Sequence, residues 1–181
     1  MLIRLTLAAA LLATPALCQS EDDGGGGSLN PEEMTLNRVM KNVRRGQTDM
    51  VTCATGYLMV KKGDHTAARE LFQRCAEAGY TGAMTWLSQM DDNGLGAEEN
   101  PDAATEWSRR AAEAGDPVGK FNYGLSLMRG RGVSQDIEAG RAMVDDAAAQ
   151  GLAIAKRMQR ADYDLDEVTP DADNWKYRPM F

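Results

Sequence analysis

Few residues in this sequence are of the types that carry out catalysis or bind transition metals. The 181 residues include one His and three Cys. We expect His65 to be an exposed residue at a helix start, because no nucleophile or orienting partner for it is indicated. One His and three Cys, with Cys18 inside an apparent export signal, are too few for a Cys₂His₂ or four-Cys zinc site. We therefore predict no catalytic residue, no metal site and no cofactor.

Adjacent carboxylates are a second possible source of chemistry. They occur at Asp91-Asp92, Glu98-Glu99 and Asp145-Asp146. A pair of carboxylates can act as general acid and base, but these three pairs are expected at helix ends or on exposed faces. We interpret them as solvating charge.

A calcium loop is the remaining candidate for an ion site. Residues 162–166 hold three Asp in alternation, and Asp173 stands at the twelfth position. Glu167 replaces the Gly that a calcium loop needs for its sharp turn, and Pro170 interrupts the segment. We favour the alternative, which is an acidic and loosely ordered tail.

Charge and composition exclude some classes of protein. The formal net charge is -7, and nucleic-acid binding depends on basic contacts to phosphate. We therefore predict no nucleic-acid partner. Aromatic residues are scarce, at 6% of the chain, which favours closely packed helices over a β-sandwich.

The N-terminal segment is typical of a secretory signal peptide. Arg4 is followed by an apolar stretch over residues 5–13, and Ala16 and Cys18 provide small residues for cleavage. We predict a signal peptide over residues 1–18 and a periplasmic location, with no membrane-spanning helix in the mature protein. Cleavage after Ala16 or Ser20 is possible, and lipidation of Cys18 is a less favoured alternative. Residues 19–29, rich in acids and Gly, are predicted to be a flexible leader.

The two remaining cysteines are candidates for a disulfide bond. Cys53 and Cys75 lie ten and eleven residues on either side of a predicted turn at Gly63-Asp64. At about 1.5 Å of rise per residue, they reach similar heights on two antiparallel helices. We predict a structural Cys53–Cys75 disulfide, as expected in an oxidising compartment.

The sequence repeats itself with a fixed step. Gly79, Gly115 and Gly151 are 36 residues apart and follow similar Ala-rich segments. Other positions keep this step, including the series Asp64, Asn100, Asp136 and the series Leu71, Trp107, Met143. A period in this range indicates a solenoid of helical hairpins.

Each repeat contains the signals of helix starts and ends. Asp64, Asn100 and Asp136 are predicted N-caps, and the three repeated glycines are predicted to end the helices that follow. Thr81 and Asp116 are plausible caps of the next helices.

Further helices are predicted outside the repeats. A leading helix begins near Asn30-Pro31 and ends at Gly46, a second helix covers about residues 49–62, and a last one covers about 153–161. The domain of about eight helices then spans residues 30–161, with a C-terminal tail over 162–181.

Two segments carry a resemblance to a known family. They are the run from Gly119 to Asp136, with its Gly-x-Gly turn, and the run from Ala103 to Gly115, which ends in Ala-Ala-Glu-Ala-Gly. They resemble the Sel-one-like repeat, which is related to the tetratricopeptide repeat, over about residues 47–151. The resemblance implies an all-α, right-handed α-solenoid of about three helical-hairpin repeats with flanking helices. Ser88, which stands where Gly124 stands in the next unit, departs from the pattern.

The resemblance also implies a function. Proteins similar to this one are mostly adaptors that hold other proteins, so we expect a non-enzymatic protein–protein interaction module, such as an adaptor or accessory subunit of a cell-envelope complex. One alternative is a regulator that restrains the exported domain of a membrane sensor. A second alternative is a cell-wall-related hydrolase, as claimed for Cys-rich relatives; those carry a Cys pair in every unit, whereas this chain has one.

Repeat comparison suggests where a partner binds. The position shared by Leu71, Trp107 and Met143 is always large and apolar, so Trp107 is predicted to be in the core. Trp86 aligns with Asn122, and a position that accepts Asn is unlikely to be deeply buried. We therefore predict that Trp86 and Asn122 belong to an exposed contact surface.

The tail has a composition of its own. Trp175, Tyr177 and Phe181 alternate with Lys176 and Arg178. The tail either folds back over the exposed end of the solenoid, which terminal repeats require, or inserts into a partner protein. These three aromatic residues are further candidates for partner binding.

Overall fold

The computed structural model describes residues 35–168, which form eight α-helices and no β-strand. The predicted signal peptide, the leader, the helix start at Asn30-Pro31 and the tail residues Trp175, Tyr177 and Phe181 lie outside the described residues. The helices are α1 (Leu36–Arg44), α2 (Met50–Lys62), α3 (His65–Glu77), α4 (Thr81–Asp92), α5 (Pro101–Glu113), α6 (Pro117–Arg129), α7 (Ile137–Ala149) and α8 (Ala153–Arg160).

Each helix packs against the next one along the chain. Helices α2–α3, α4–α5 and α6–α7 form three hairpins, α1 packs on α2 and α3, and α8 packs on α7. The first helices of the second and third hairpins, α4 and α6, also contact each other. The predicted all-α solenoid is confirmed. Within residues 35–168, every helix is too short or too polar to cross a membrane.

Helix starts follow the side chains that the sequence places there. The carboxylate or amide oxygens of Asp64, Asn100 and Asp136 accept hydrogen bonds from the backbone N–H three residues further on. Pro101 occupies the first helical position of α5, where a missing N–H costs nothing. The predicted N-caps are confirmed.

Two helices begin differently from the expectation. Helix α1 starts at Leu36, and Thr35 caps it by accepting from the backbone N–H of Arg38. Helix α4 starts at Thr81, but its N-cap is Tyr80 and no side chain caps it. The Thr81 hydroxyl instead donates to Asp116, the cap of α6, at 2.7 Å. Thr81 therefore joins two hairpins rather than capping its own helix.

The repeated glycines end the second helix of each hairpin. Gly79, Gly115 and Gly151 have φ angles of 91°, 90° and 98°, a conformation that favours Gly. In the first hairpin, the N–H of Tyr80 donates to the carbonyl of Cys75 at 3.0 Å. In the other two hairpins the N–H groups of Asp116 and Leu152 likewise donate to the carbonyl five positions earlier. This hydrogen bond is that of the Schellman motif. The 36-residue step is therefore the distance between equivalent helix ends.

Small residues set the distance between the two helices of a hairpin. A Cβ atom on Gly56 would lie 2.5 Å from the ring of Phe72, and one on Gly124 would lie 2.8 Å from the backbone of α7. At the corresponding place in the second hairpin, the hydroxyls of Ser88 and Ser108 form a buried hydrogen bond of 2.7 Å. Ser88 fits the repeat because its hydroxyl has a partner.

The core is divided into two clusters. One extends from α1 to α5, and the other holds α6, α7, α8 and Val168. Leu71 is fully buried, whereas Trp107 is half-buried against the first cluster with the guanidinium of Arg110 4.4 Å from its ring centroid. The prediction that Trp107 is a core residue is thus correct for one part of the side chain only.

Candidate partner-binding groove

A disulfide bond ties the first two helices of the solenoid core together. The sulfur atoms of Cys53 on α2 and Cys75 on α3 are 2.08 Å apart, and their Cα atoms are 5.9 Å apart. Both residues are buried. The predicted Cys53–Cys75 pair is confirmed, and such bonds are typical of an oxidising, exported compartment.

A groove of about 630 Å³ lies between α2 and α4. Its walls come from the N-terminal halves of these two helices, and its floor includes Phe72 of α3. Because Cys53 lines it, the disulfide is part of the same structure. The lining residues are Met50, Cys53, Ala54, Tyr57, Phe72, Tyr80, Thr81, Gly82, Ala83 and Trp86.

Three aromatic rings determine the shape of the groove. The rings of Phe72 and Trp86 are stacked, with centroids 5.7 Å apart and an interplanar angle of 1°. The ring of Tyr57 meets Trp86 from the opposite wall at 5.7 Å and 59°. Phe72 is buried, so it supports Trp86 from below. Rigid aromatic side chains that are only half-buried are suited to contact a partner with little loss of entropy.

The reasoning that led to Trp86 and Asn122 is wrong in one respect. Asn122 is only 3% exposed, so a position that accepts Asn is buried here. Its side chain lies in a small polar pocket of about 20 Å³ between the second and third hairpins, not on a contact surface. Trp86 is half-buried against Phe72. Its contact with a partner remains a prediction, now supported by the groove.

The apolar surface continues from the groove onto the outer face of α2. Met50, Val51 and Leu58 are 74%, 75% and 56% exposed. Among the described residues, only Ile137 is a further large hydrophobic side chain with comparable exposure. Exposed apolar side chains that border a groove are typical of interaction surfaces.

Carboxylates stand at one end of both groove walls. Asp49 caps α2 immediately before Met50, and its pKa is lowered because the hydroxyl and the backbone N–H of Thr52 donate to it. Asp116 accepts from Thr81 on the other wall. At the other end, the ammonium of Lys61 lies 5.0 Å from the ring centroid of Tyr57. The groove therefore has an apolar lining, with the carboxylate of Asp49 next to it at the N-terminus of α2.

The other candidates for chemistry lie outside the groove. His65 is half-buried rather than exposed, and its Nδ1 has no hydrogen-bond partner among the described residues. Within residues 35–168, no group of three His, Cys, Asp or Glu residues is placed to hold a metal ion. The calcium-loop candidate extends to Asp173, which lies outside that range.

One of the acidic pairs is not where the sequence suggested. Asp91 is 5% exposed, and its carboxylate pairs with the guanidinium of Arg69 at 2.5 Å. Arg69 also donates to the carbonyl of Leu95 at 3.0 Å. The expectation of an exposed Asp91 is wrong, because an arginine 22 residues away compensates its buried charge.

The remaining pairs form exposed ion pairs or hydrogen bonds. Asp92 and Glu99 both bind Arg131. Asp146 binds Lys120. Glu98 is exposed. These contacts fit the interpretation as surface charge.

The start of the predicted tail is packed onto the solenoid. Val168 is buried in the second cluster, and Leu165 is partly buried against it. The guanidinium of Arg129, the last residue of α6, donates to the carbonyls of Leu165 and Val168 at 2.7 and 2.9 Å. Residues 162–168 are therefore held in place at the end of the repeats.

Solved structures with the same architecture are known. A Sel1 repeat protein from Oxalobacter formigenes has 25% identity and a TM-score of 0.59, covering 70% of this chain and 97% of that one. Cysteine-rich protein B of Helicobacter pylori has 14% identity and a TM-score of 0.56, covering 70% and 98%. A protective antigen of uropathogenic Escherichia coli strains, described as displaying an SLR fold, has 21% identity and a TM-score of 0.50, covering 76% and 35%.

The family comparison agrees with the fold. No curated protein matches the sequence. The Sel1 repeat model matches residues 53–80, 81–116 and 117–152, which is more than half of the chain and coincides with the three hairpins. Proteins built from these repeats are generally protein–protein interaction modules. The chain belongs to the Sel1-repeat family.

Proposed function

We propose that this chain is a non-enzymatic adaptor or accessory subunit of a cell-envelope complex, exported to the periplasm, and that it binds its protein partner in the groove between α2 and α4. The single observation that carries the proposal is the groove itself. It joins the stacked Phe72 and Trp86 to the exposed apolar residues of α2.

The chemistry of the groove fits a protein ligand. Interface energy is concentrated in a few aromatic anchors that sit in desolvated pockets. Trp86 is such an anchor, held by Phe72 below and Tyr57 opposite. Truncating a side chain of this kind costs about 2 kcal/mol of binding free energy or more, which is a loss of affinity of roughly 30-fold.

The location in the periplasm rests on two arguments. The sequence predicts a signal peptide over residues 1–18, and the Cys53–Cys75 bond indicates an oxidising compartment. Cell fractionation with an antibody against the chain tests the location directly. Recovery with the cytoplasmic fraction would contradict it.

Site-specific photo-crosslinking tests the binding surface. A photoreactive amino acid in place of Ala54, which is exposed in the groove, should capture a partner in the cell envelope. The same amino acid in place of Gln73, which is exposed on α3, is the control. We expect capture from position 54 and not from position 73, with a large decrease when Trp86→Ala is added.

A matched substitution separates binding from folding. Trp107→Ala removes the other half-buried tryptophan of the described chain, which lies outside the groove, and should leave capture unchanged. Equal capture from both positions, or equal loss from both tryptophan variants, would refute the proposal. Capture of a membrane sensor's exported domain would retain the groove but replace the adaptor role by a regulatory one.

A further inference from the structure

The aromatic residues of this chain are concentrated in two places. The sequence contains only 3 Trp, 5 Tyr and 3 Phe. Four of them line the groove between α2 and α4. Three more stand in the segment Trp175–Phe181, where they alternate with cationic residues. The segment thus has the same apolar, aromatic character as the groove.

The path of the chain brings this segment within reach of the groove. Arg129 holds the carbonyl of Val168 beside the last turn of α6, and α4 lies between α6 and the groove. Packed helices are about 8–10 Å apart. The groove lies at the level of the N-terminal half of α6, which is ~10–16 Å from Arg129 along the helix axis at about 1.5 Å of rise per residue. The path along these two directions, one after the other, is therefore roughly 20–25 Å.

The connecting chain is long enough. At about 3.3 Å per extended residue, the seven residues from Val168 to Trp175 span up to ~23 Å and the thirteen to Phe181 up to ~43 Å. Tyr177, nine residues beyond Val168, spans up to ~30 Å, so Tyr177 and Phe181 can reach the groove without displacing residues 162–168, whereas Trp175 reaches only its near edge and only with a fully extended chain.

The charges are complementary as well. Lys176 and Arg178 give the segment positive charge, and the exposed carboxylate of Asp49 stands at the N-terminus of α2, next to Met50 of the groove lining. Cations beside Tyr57 or Trp86 would also meet the negative faces of aromatic rings, as the ammonium of Lys61 already does at Tyr57.

We infer that the segment Trp175–Phe181 of the same chain binds in the groove between α2 and α4 and competes there with the protein partner. This inference rests on the proposed function, since it makes the tail an internal ligand of the partner site. It also specifies the partner's chemistry, which is an apolar segment with aromatic side chains and positive charge.

The covalent connection between the segment and the solenoid makes the segment an effective competitor of the partner. A short flexible connection corresponds to an effective concentration in the ~mM range. A segment that binds with a dissociation constant of about 0.1 mM then occupies most grooves and weakens partner binding by about tenfold.

The test uses the full mature chain with the photoreactive amino acid at position 54. After irradiation of the purified protein, peptide mapping should place the crosslink in residues 175–181, and the product should migrate as a monomer. The triple variant Trp175→Ala/Tyr177→Ala/Phe181→Ala should lose this product and capture the envelope partner about tenfold better. Position 73 is again the control, and circular dichroism checks that each variant is folded.

Each other outcome has a definite meaning. A crosslink that maps elsewhere, or a product found only at the size of a dimer, overturns the inference; the dimer would identify a second copy as the occupant. Partner capture from position 54 without any tail crosslink would overturn the inference and leave the proposed function intact. A tail crosslink without any captured protein, in the wild type and in the triple variant, would support binding of the tail in the groove but refute the competition and the proposed function.

Discussion

Removal of the disulfide should destabilise this protein substantially and should affect its first hairpin most. The double variant Cys53→Ala/Cys75→Ala deletes the bond and removes two buried sulfur atoms, leaving methyl side chains in their place. The two residues are separated by 22 positions. For a loop of that size, the chain-entropy relation gives about 3 kcal/mol of stabilisation at 25 °C.

That free energy corresponds to a measurable change in melting temperature. The entropy of unfolding is about 2.1 cal/mol/K per residue, so the described range, about 134 residues, gives roughly 0.28 kcal/mol/K. A loss of about 3 kcal/mol therefore lowers Tm by roughly 10 °C.

The effect should be local because of the way a solenoid is built. Each helical hairpin contacts only its neighbours, and α1 and α2 pack mainly on each other and on α3. Without the bond, α1 and α2 can open while the second and third hairpins stay folded. Since α2 is one wall of the groove, the same opening should also weaken partner capture from position 54.

Two measurements check this reasoning. Thermal melts followed by circular dichroism compare the oxidised wild type, the wild type in reductant and the double variant, and hydrogen exchange reports where protection is lost. We expect the wild type in reductant and the double variant to melt about 10 °C below the oxidised wild type. The Tm of the double variant should not change with reductant, and amide hydrogen exchange should increase first in residues 36–62. A shift below about 3 °C, or exchange that rises equally in all three hairpins, would refute the argument.

Four further substitutions, in three tests, examine separate parts of the structure. Gly132→Ala should lower the free energy of unfolding by about 2 kcal/mol or more, whereas Gly63→Ala should lower it by only about 1 kcal/mol. Both glycines have positive φ, but only at Gly132 would a Cβ atom clash, because it would lie 2.2 Å from the carbonyl oxygen of Pro101. Chemical denaturation of the two variants measures the difference. Arg69→Met leaves a buried carboxylate on α4 without its partner and should cost about 3–5 kcal/mol, checked in the same assay. The hydroxyl of Tyr163, and to a lesser extent the side-chain amide of Gln159, lower the pKa of Asp145. The resulting stabilisation is present above the ordinary Asp pKa and is lost as the pH falls through the lowered pKa. The Tm difference between wild type and Tyr163→Phe should therefore be present at pH 7 and disappear in acid.

The elements that the sequence predicts well are those controlled by local interactions. The cap at Asp64 and the helix end at Gly79 each depend on backbone groups within a few residues. The same cap and the same helix end recur 36 and 72 residues further along the chain. For this reason the repeat and the cap signals predict the helices of the three hairpins and, through the turn at Gly63-Asp64, the pairing of Cys53 and Cys75, whereas the start of α1 and the cap of α4 differ from the prediction.

Burial of polar residues is not predictable in the same way. Asp91 stands beside Asp92 at a helix end, a typical position for exposed charge, yet it is buried because Arg69 reaches it from the preceding hairpin. Asn122 is buried in a polar pocket shared with residues of three helices. The partner of Asp91 is distant in sequence, and the pocket around Asn122 includes residues of α4 and α5, so the residue type alone does not indicate burial in either case.

The groove exists because the first hairpin departs from the repeat. Phe72 occupies the position that Ser108 has in the second hairpin, and it fits only because the facing residue on α2 is Gly56. Its ring then supports Trp86 on the next hairpin. One hairpin further along, Asn122 takes the place of Trp86 and Ser108 the place of Phe72, and these two residues line a pocket of only about 20 Å³ between the second and third hairpins. The residues that conform to the repeat therefore build the scaffold, and the groove that we propose as the partner site lies where the side chains depart from the repeat. Agreement with the repeat thus predicted the fold, whereas the groove depends on contacts between hairpins.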